Sequence, residues 1–333
     1  MLPVLDRVLL RAAGALVVGV LATGAALAAD AGAEYSVAQR LVLGGAGKWD
    51  YATLDAQRHR LYVTRGDHVD VVDTVKLGKI GEIPATNGVH GVALAQDLKL
   101  GFTSNGRSDS LTVFDLESLA VKGEYKVSGH NPDAIFYDAA THHLLVFNGR
   151  SKDLNVVDAR DGKPVSTVAL PGKPEFAAID GSTVYVNLED VNSLAAVDLA
   201  AGKVASVWKL ADCEEPTGLE YDIGAKRIFS SCANGRLVVT DAVSGRNIAS
   251  LPVGKGPDAT AFDMARHRIF SSGGEDGTLS VIAQKDADHY AVIQTLPTAK
   301  SARTMALDAE SGRLFLPTPA DGQFTVVVVA PGR

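Results

Sequence analysis

The sequence predicts an all-β fold, a seven-bladed β-propeller, and three observations carry that prediction. A strand-like segment recurs at a nearly fixed period: "VDVVD" to Asp73, "LTVFD" to Asp115, "LNVVD" to Asp158, "LAAVD" to Asp198 and "LVVTD" to Asp241, then "LSVIA" to Ala283 and "FTVVV" to Val328. The steps are 42, 43, 40, 43, 42 and 45 residues, which is the spacing of propeller blades. Each unit divides into four β-rich runs bounded by turn residues, as in "PDATAFD", "HRIFSS", "GTLSVIA" and "YAVIQTLP". Helical periodicity is absent beyond the N-terminal apolar run, which excludes helical repeats of similar length.

In chain order, the first element is a targeting segment. Arg7 and Arg11 precede an apolar run from about Ala12 that ends in Ala26-Leu27-Ala28, so residues 1–28 read as a secretory signal peptide and the expected location is the periplasm or the outside of the cell. The run is short and rich in Gly and Ala for a membrane anchor, and no transmembrane anchor is expected after cleavage. Residues 34–333 form one expected domain. Its last repeat supplies three strands, "TMALD", "RLFLP" and "FTVVVV", and leaves an open edge. The segment "EYSVAQRLVLG", Glu34 to Gly44, resembles the fourth strands of other units and is expected to pair as the outer strand of blade 7, closing the ring.

The formal charge is −7, and −8 without residues 1–28, which carry Asp6, Arg7 and Arg11. An acidic chain argues against a nucleic-acid surface, and the low charge content with abundant Val, Leu and Ala argues for a compact body, expected to be a monomer. Cys213 and Cys232 are the only cysteines. An even pair in an oxidising compartment reads as a disulfide across blade 5.

These repeats resemble the YVTN-repeat β-propeller family. "RLYVTRGDHVDVVDTVKLGKIGEIP" in blade 1 is close to the family repeat through Tyr62-Val63-Thr64, with Arg65 in place of the final Asn; "FTSN" (Phe102–Asn105) and "VYVN" (Val184–Asn187) are variants, and "FSSC" and "FSSG" lose the Asn. The resemblance implies a seven-bladed propeller. It leaves the function open, because such scaffolds serve as binding proteins, lactonases and haem-binding domains of nitrite reductases. Covalent haem has no Cys-x-x-Cys-His here.

Propeller geometry places the start of every inner strand at one mouth of the central channel. The residues there are Asp50, His90, Asp133, Glu175, Thr217, Asp258 and Arg303, with Glu215 nearby. Loops between second and third strands bring Arg65, Asn105, Asn148, Asn187, Cys232, Gly273 and Thr318 to the same face. The expected ligand-binding set is Asp50, His90, Asn105, Asp133, Asn148, Glu175, Asn187, Asp258 and Arg303. Any one acid after Pro or Gly reads first as a turn-fixing acceptor; like charges gathered at one mouth are what point to a site. The leading expectation is a binding or interaction module for a small polar ligand, a cation or a partner protein. The alternative is a metal-dependent, lactonase-like hydrolase, with a divalent cation on Asp133, Glu175 and Asp258, His90 as general base and Arg303 holding an oxyanion. A third reading, a cofactor-binding or electron-transfer accessory, rests only on the resemblance to haem-binding propellers, and the cofactor is otherwise open. His59, His142, His143 and His267 fall in hairpins of the opposite face, and Asp55, Asp138, Asp180, Asp222, Asp263 and Asp308 read as turn caps.

Overall fold

Every middle strand of the chain alternates side chains between two neighbours, so both faces are apolar and the strands read as almost unbroken hydrophobic runs. In a computed structural model describing residues 35–45, 47–320 and 322–332, these runs build seven four-stranded antiparallel sheets. The expected signal peptide lies outside the described residues. Blade 1 runs through Ala52–Asp55, Arg60–Thr64, Val69–Asp73 and Gly78–Ile83, and the next five blades repeat that meander. Among the described residues, helix is limited to the 3₁₀ turn Glu189–Val191. No helix among them is long and apolar enough to cross a membrane.

Blade 7 closes as expected. Its sheet contains Ala306–Asp308, Arg313–Ala320 and Gln323–Pro331, and its outer strand is Tyr35–Val42. The two chain ends pair antiparallel from Tyr35 opposite Pro331 to Val42 opposite Thr325. Tyr35 is buried and meets Phe270 of blade 6 edge-to-face at 5.0 Å. The Gln294 amide of blade 6 accepts from Tyr35 N–H at 2.8 Å and donates to its carbonyl at 2.7 Å. The closing strand therefore ties blade 7 to blade 6 as well.

The core is divided into seven clusters among the described residues, one at each interface between adjacent blades. Leu61 and Val63 pack against Phe315 and Val326 of blade 7, while Tyr62 between them packs against Phe114 of blade 2. Cys213 and Cys232 form the expected disulfide, with Cα atoms 5.4 Å apart, beside the cluster shared by blades 4 and 5.

Two turn positions explain conspicuous polar residues. The hairpins between first and second strands hold His59, Lys99, His142, Lys226 and His267 at φ between 51° and 58°, so these are conformational positions; His59, Lys99 and His267 are exposed, while His142 meets Tyr137 and Asp97 and Lys226 pairs with Asp180. Asp55, Asp138, Asp222, Asp263 and Asp308 accept backbone N–H bonds in those turns, as expected for caps. Asp180 does not. Its hairpin pairs Asp180 with Thr183, too tight to offer a loop N–H, and its carboxylate takes the Tyr221 hydroxyl at 2.8 Å and Lys226 at 2.9 Å instead.

Candidate functional site at the channel mouth

The chain reaches the mouth through a repeated three-residue device. Two positions before the ring residue, Gly88, Asn131, Glu215, Gly256 and Ser301 adopt φ of 49° to 73°. Pro132, Pro216 or Pro257 follows in three of these blades, fixing φ and directing the chain into the inner strand. A bulge follows in blades 2 to 6, for instance between Pro132 and Ile135. Buried hydroxyls then clamp the ring backbone to the neighbouring blade. Ser104 donates to the Asp133 carbonyl and Ser272 to that of Arg303. Thr217 donates to Pro257 and Thr304 to Asp50, each at 2.6 Å.

The side chains thus held converge on one side of the ring. His90 Nδ1 lies 2.6 Å from Asp50 Oδ2 and 3.6 Å from Asp133 Oδ1. The far edge of the imidazole rests on Gly106, where an added Cβ would stand 2.6 Å from Nε2; no larger residue fits there without moving His90. Arg303 continues the chain of charges, with one nitrogen 3.4 Å from Asp50 and Nε 3.0 Å from Asp258. Its guanidinium lies 5.3 Å from the Trp49 ring centre and donates to the Trp49 carbonyl at 3.2 Å. Asp258 and Arg303 open into a cleft of about 390 Å³ lined also by Trp49, Thr217 and Glu275. On the other side Lys173 binds Glu175 at 2.7 Å and Glu189 more closely still.

Burial sets the electrostatics. It pushes the Asp133 carboxyl up to about 6, against the pull of His90, and the Asp258 carboxyl up to about 7, against that of Arg303. Glu175 is raised well above the carboxylate range by burial and by the Asp133 charge. For His90, burial works downward, but the Asp50 hydrogen bond and the charges of Asp133 and Asp50 outweigh it and raise the imidazole. Asp133 Oδ1 is buried and accepts no hydrogen bond.

The expected residues separate into three groups. Asp50, His90 and Asp133 bring three ligand atoms within 4.8 Å of one another. Among the described residues the expected cation set of Asp133, Glu175 and Asp258 does not converge to the same distance; Glu175 is engaged by Lys173 and Asp258 by Arg303, which also reaches Asp50. Asn105, Asn148 and Asn187 are fully buried within the blades. Asn105 donates to Thr112 at 2.9 Å, Asn148 to Asp153 at 2.7 Å and Asn187 to the Thr217 carbonyl at 3.0 Å. Arg65 pairs with Asp70 at 2.6 Å and stacks on Phe324.

Three contributors were missed. Lys173 stands two positions before Glu175 in an ordinary loop, and its second partner Glu189 arrives from a separate hairpin. Trp49 had only its place beside Asp50 as a signal. Tyr51 forms the floor: it meets Phe176 of blade 4 at 5.1 Å across the channel. Burial and then Asp133, Glu175, Asp50 and Asp258 raise its hydroxyl well above the ordinary phenol. Beneath this pair the channel widens into a second chamber.

Fold and mouth together define a seven-bladed β-propeller with a charged channel opening. No protein-family model matches the chain. The uncharacterized protein YncE of Salmonella typhimurium is 25% identical over 240 residues, covering 67% of this chain, and its Salmonella typhi counterpart is 24% identical over 240 residues. The match spans 66% of the length of these relatives. Among solved structures, a chain of Kuenenia stuttgartiensis hydrazine synthase aligns with a TM-score of 0.72 at 16% identity, over 83% of this chain and 94% of that one. A chain of the mitotic checkpoint complex aligns at 0.79 and 13% identity over 98% and 99%, and the RRP9 WD40 repeats at 0.78 and 10% identity over 90% and 98%. At these identities the likeness is one of fold.

Proposed function

We propose that the protein is an exported propeller of YVTN type that acts as a binding module, with its channel mouth holding a divalent cation on Asp50, His90 and Asp133. The observation that carries this reading is the convergence of one ligand atom from each of the three residues within 4.8 Å, with the buried, unbonded Asp133 Oδ1 3.6 Å from His90 Nδ1. Leaving such an atom unsatisfied costs about 1–3 kcal/mol, and a cation between the three groups would remove that cost. One imidazole with two carboxylates suits Zn²⁺, Co²⁺ or Mn²⁺ better than an all-oxygen site suits them. Export rests on Arg7, Arg11, the apolar run and Ala26-Leu27-Ala28.

The test is calorimetric titration of chelator-treated protein purified from the periplasm, whose mass should begin after Ala28 or Ala29. One equivalent of Zn²⁺, Co²⁺ or Mn²⁺ is expected, weakened roughly tenfold or more in Asp133→Asn. Absence of binding by all three metals, or binding indifferent to both Asp133→Asn and His90→Ala, would exclude the site.

A metal-dependent, lactonase-like hydrolase is the second reading, and Asp258 favours it. A carboxyl raised to about 7 beside Arg303 is matched to general-base work at neutral pH. On this reading Asp258 takes the role expected of His90, which is proposed here as a ligand of the cation. Lactone hydrolysis by the metal-loaded protein, lost in Asp258→Asn with metal affinity retained, would establish it; no turnover across a lactone and ester panel would leave the binding module.

A further inference from the structure

Below the Tyr51–Phe176 pair lies a chamber of about 570 Å³ that no part of the channel-mouth reading uses. Its wall is apolar and aromatic, including Tyr51, Phe136, Phe176, Phe262 and Met305, and it reaches Gln96 and Ala309 in hairpins of the opposite face. Among the described residues, Glu220 is the only charged one lining it.

Four other polar side chains of the wall are engaged elsewhere. Thr53 donates to the Val92 carbonyl at 3.0 Å and Thr260 to Ser231 at 2.8 Å. The Gln96 oxygen accepts from Arg58, and the Tyr137 hydroxyl binds Asp97 at 3.0 Å. Among the described residues Glu220 has no side-chain partner, and burial pushes its carboxyl up to about 7 against the lowering pull of the Tyr221 backbone N–H. The fold does not require an acid there. Counted from the register with the second strand, the corresponding residues of the other blades are Thr53, Ala93, Phe136, Ala178, Ala261 and Ala306. One acid has been placed where six blades carry a small or apolar residue.

We infer that the lower chamber is a binding site for a small organic ammonium ion, held by the Glu220 carboxylate within a wall of aromatic faces. An ammonium supplies the missing counter-charge, and aromatic faces attract a cation stripped of water. The alkyl or aryl substituents of such a ligand occupy apolar wall that a metal ion would leave bare. Inorganic cations carry hydration shells that one carboxylate, with the wall hydroxyls and amide already bonded elsewhere, does not replace.

The experiment is calorimetric titration of the full protein with choline and with benzyltrimethylammonium, each run beside 3,3-dimethyl-1-butanol, the neutral isostere of choline. Saturable binding of at least one ammonium is expected, with roughly tenfold or greater preference for choline over its isostere if choline is the one bound. Glu220→Gln should weaken the ammonium by about tenfold and leave the alcohol unchanged. Phe136→Leu should weaken it several-fold by thinning the aromatic wall, which keeps the test valid if either variant alone were poorly folded. Binding of neither ammonium, or ammonium binding unchanged in both variants, would overturn the inference. Asp133→Asn should not alter ammonium binding, so the chamber stands or falls separately from the cation site at the mouth.

Discussion

Glu220 holds its proton longer in the folded protein than in the unfolded chain, with a carboxyl near 7 against the ordinary 4.5. A raised acid contributes stability that is complete below the unfolded value and is lost as pH rises through the folded one. The wild type is therefore expected to lose more thermal stability between pH 5 and pH 8 than Glu220→Gln. Asp133, Asp258 and Glu175 act in the same direction in both proteins, so the difference between the two melting curves isolates Glu220; parallel curves would contradict the assignment. This residue also marks where sequence reading stops. Asp133 and Asp258 were legible because a proline and a left-handed residue announce the start of an inner strand. Glu220 is the fifth residue of the inner strand Pro216–Asp222, where an acid reads as an ordinary solvent-facing position of an alternating strand. Its surroundings come from other blades, and no local pattern reports them.

At the scale of elements, the closing strand was legible from an arithmetic deficit, three strands in the last repeat and one spare at the start. The expected span of 34–44 settles at Tyr35–Val42. What sequence did not show is how much of that strand's hold comes from blade 6. Tyr35 is 3% exposed, lies against Phe270 and exchanges two hydrogen bonds with Gln294. Tyr35→Ala is expected to cost about 3–5 kcal/mol, the range for truncating a buried aromatic, read as a lower denaturant midpoint. Gln294→Ala removes the paired amide and should cost about 1–2 kcal/mol. A Tyr35→Ala loss below 1 kcal/mol would mean the strand is held by its pairing with Gln323–Pro331 alone. The asparagines of the repeat illustrate the opposite error: a loop-side position suggests a binding residue, while burial turns Asn187 into a brace between blades 4 and 5.

Across the whole molecule, the repeat period and the strand count made the architecture readable, because each blade buries both faces against its neighbours and only a closed ring satisfies all seven interfaces. The single covalent brace lies at one rim. The Cys213–Cys232 bond closes a 19-residue separation and is expected to contribute about 3 kcal/mol. Cys213→Ser with Cys232→Ser, or reduction of the native protein, should lower the melting temperature by several degrees without altering metal uptake at the mouth. An unchanged melting temperature would show that the blade 4 and blade 5 cluster holds without it.

The pairing of Tyr35–Val42 with Gln323–Pro331 also has a temporal meaning. During synthesis Tyr35–Val42 is made before the other strands of the ring and Gln323–Pro331 after them, so blade 7 has no finished edge until Gln323–Pro331 is available. Joining ends so distant in an unfolded chain would cost about 5 kcal/mol in loop entropy alone, whereas successive stacking of blades 1 to 6 brings them side by side. The ring then shuts in one late step. A chain interrupted anywhere before that step has an exposed sheet edge at each end, the form in which a propeller is most open to proteolysis and to pairing with another copy of itself.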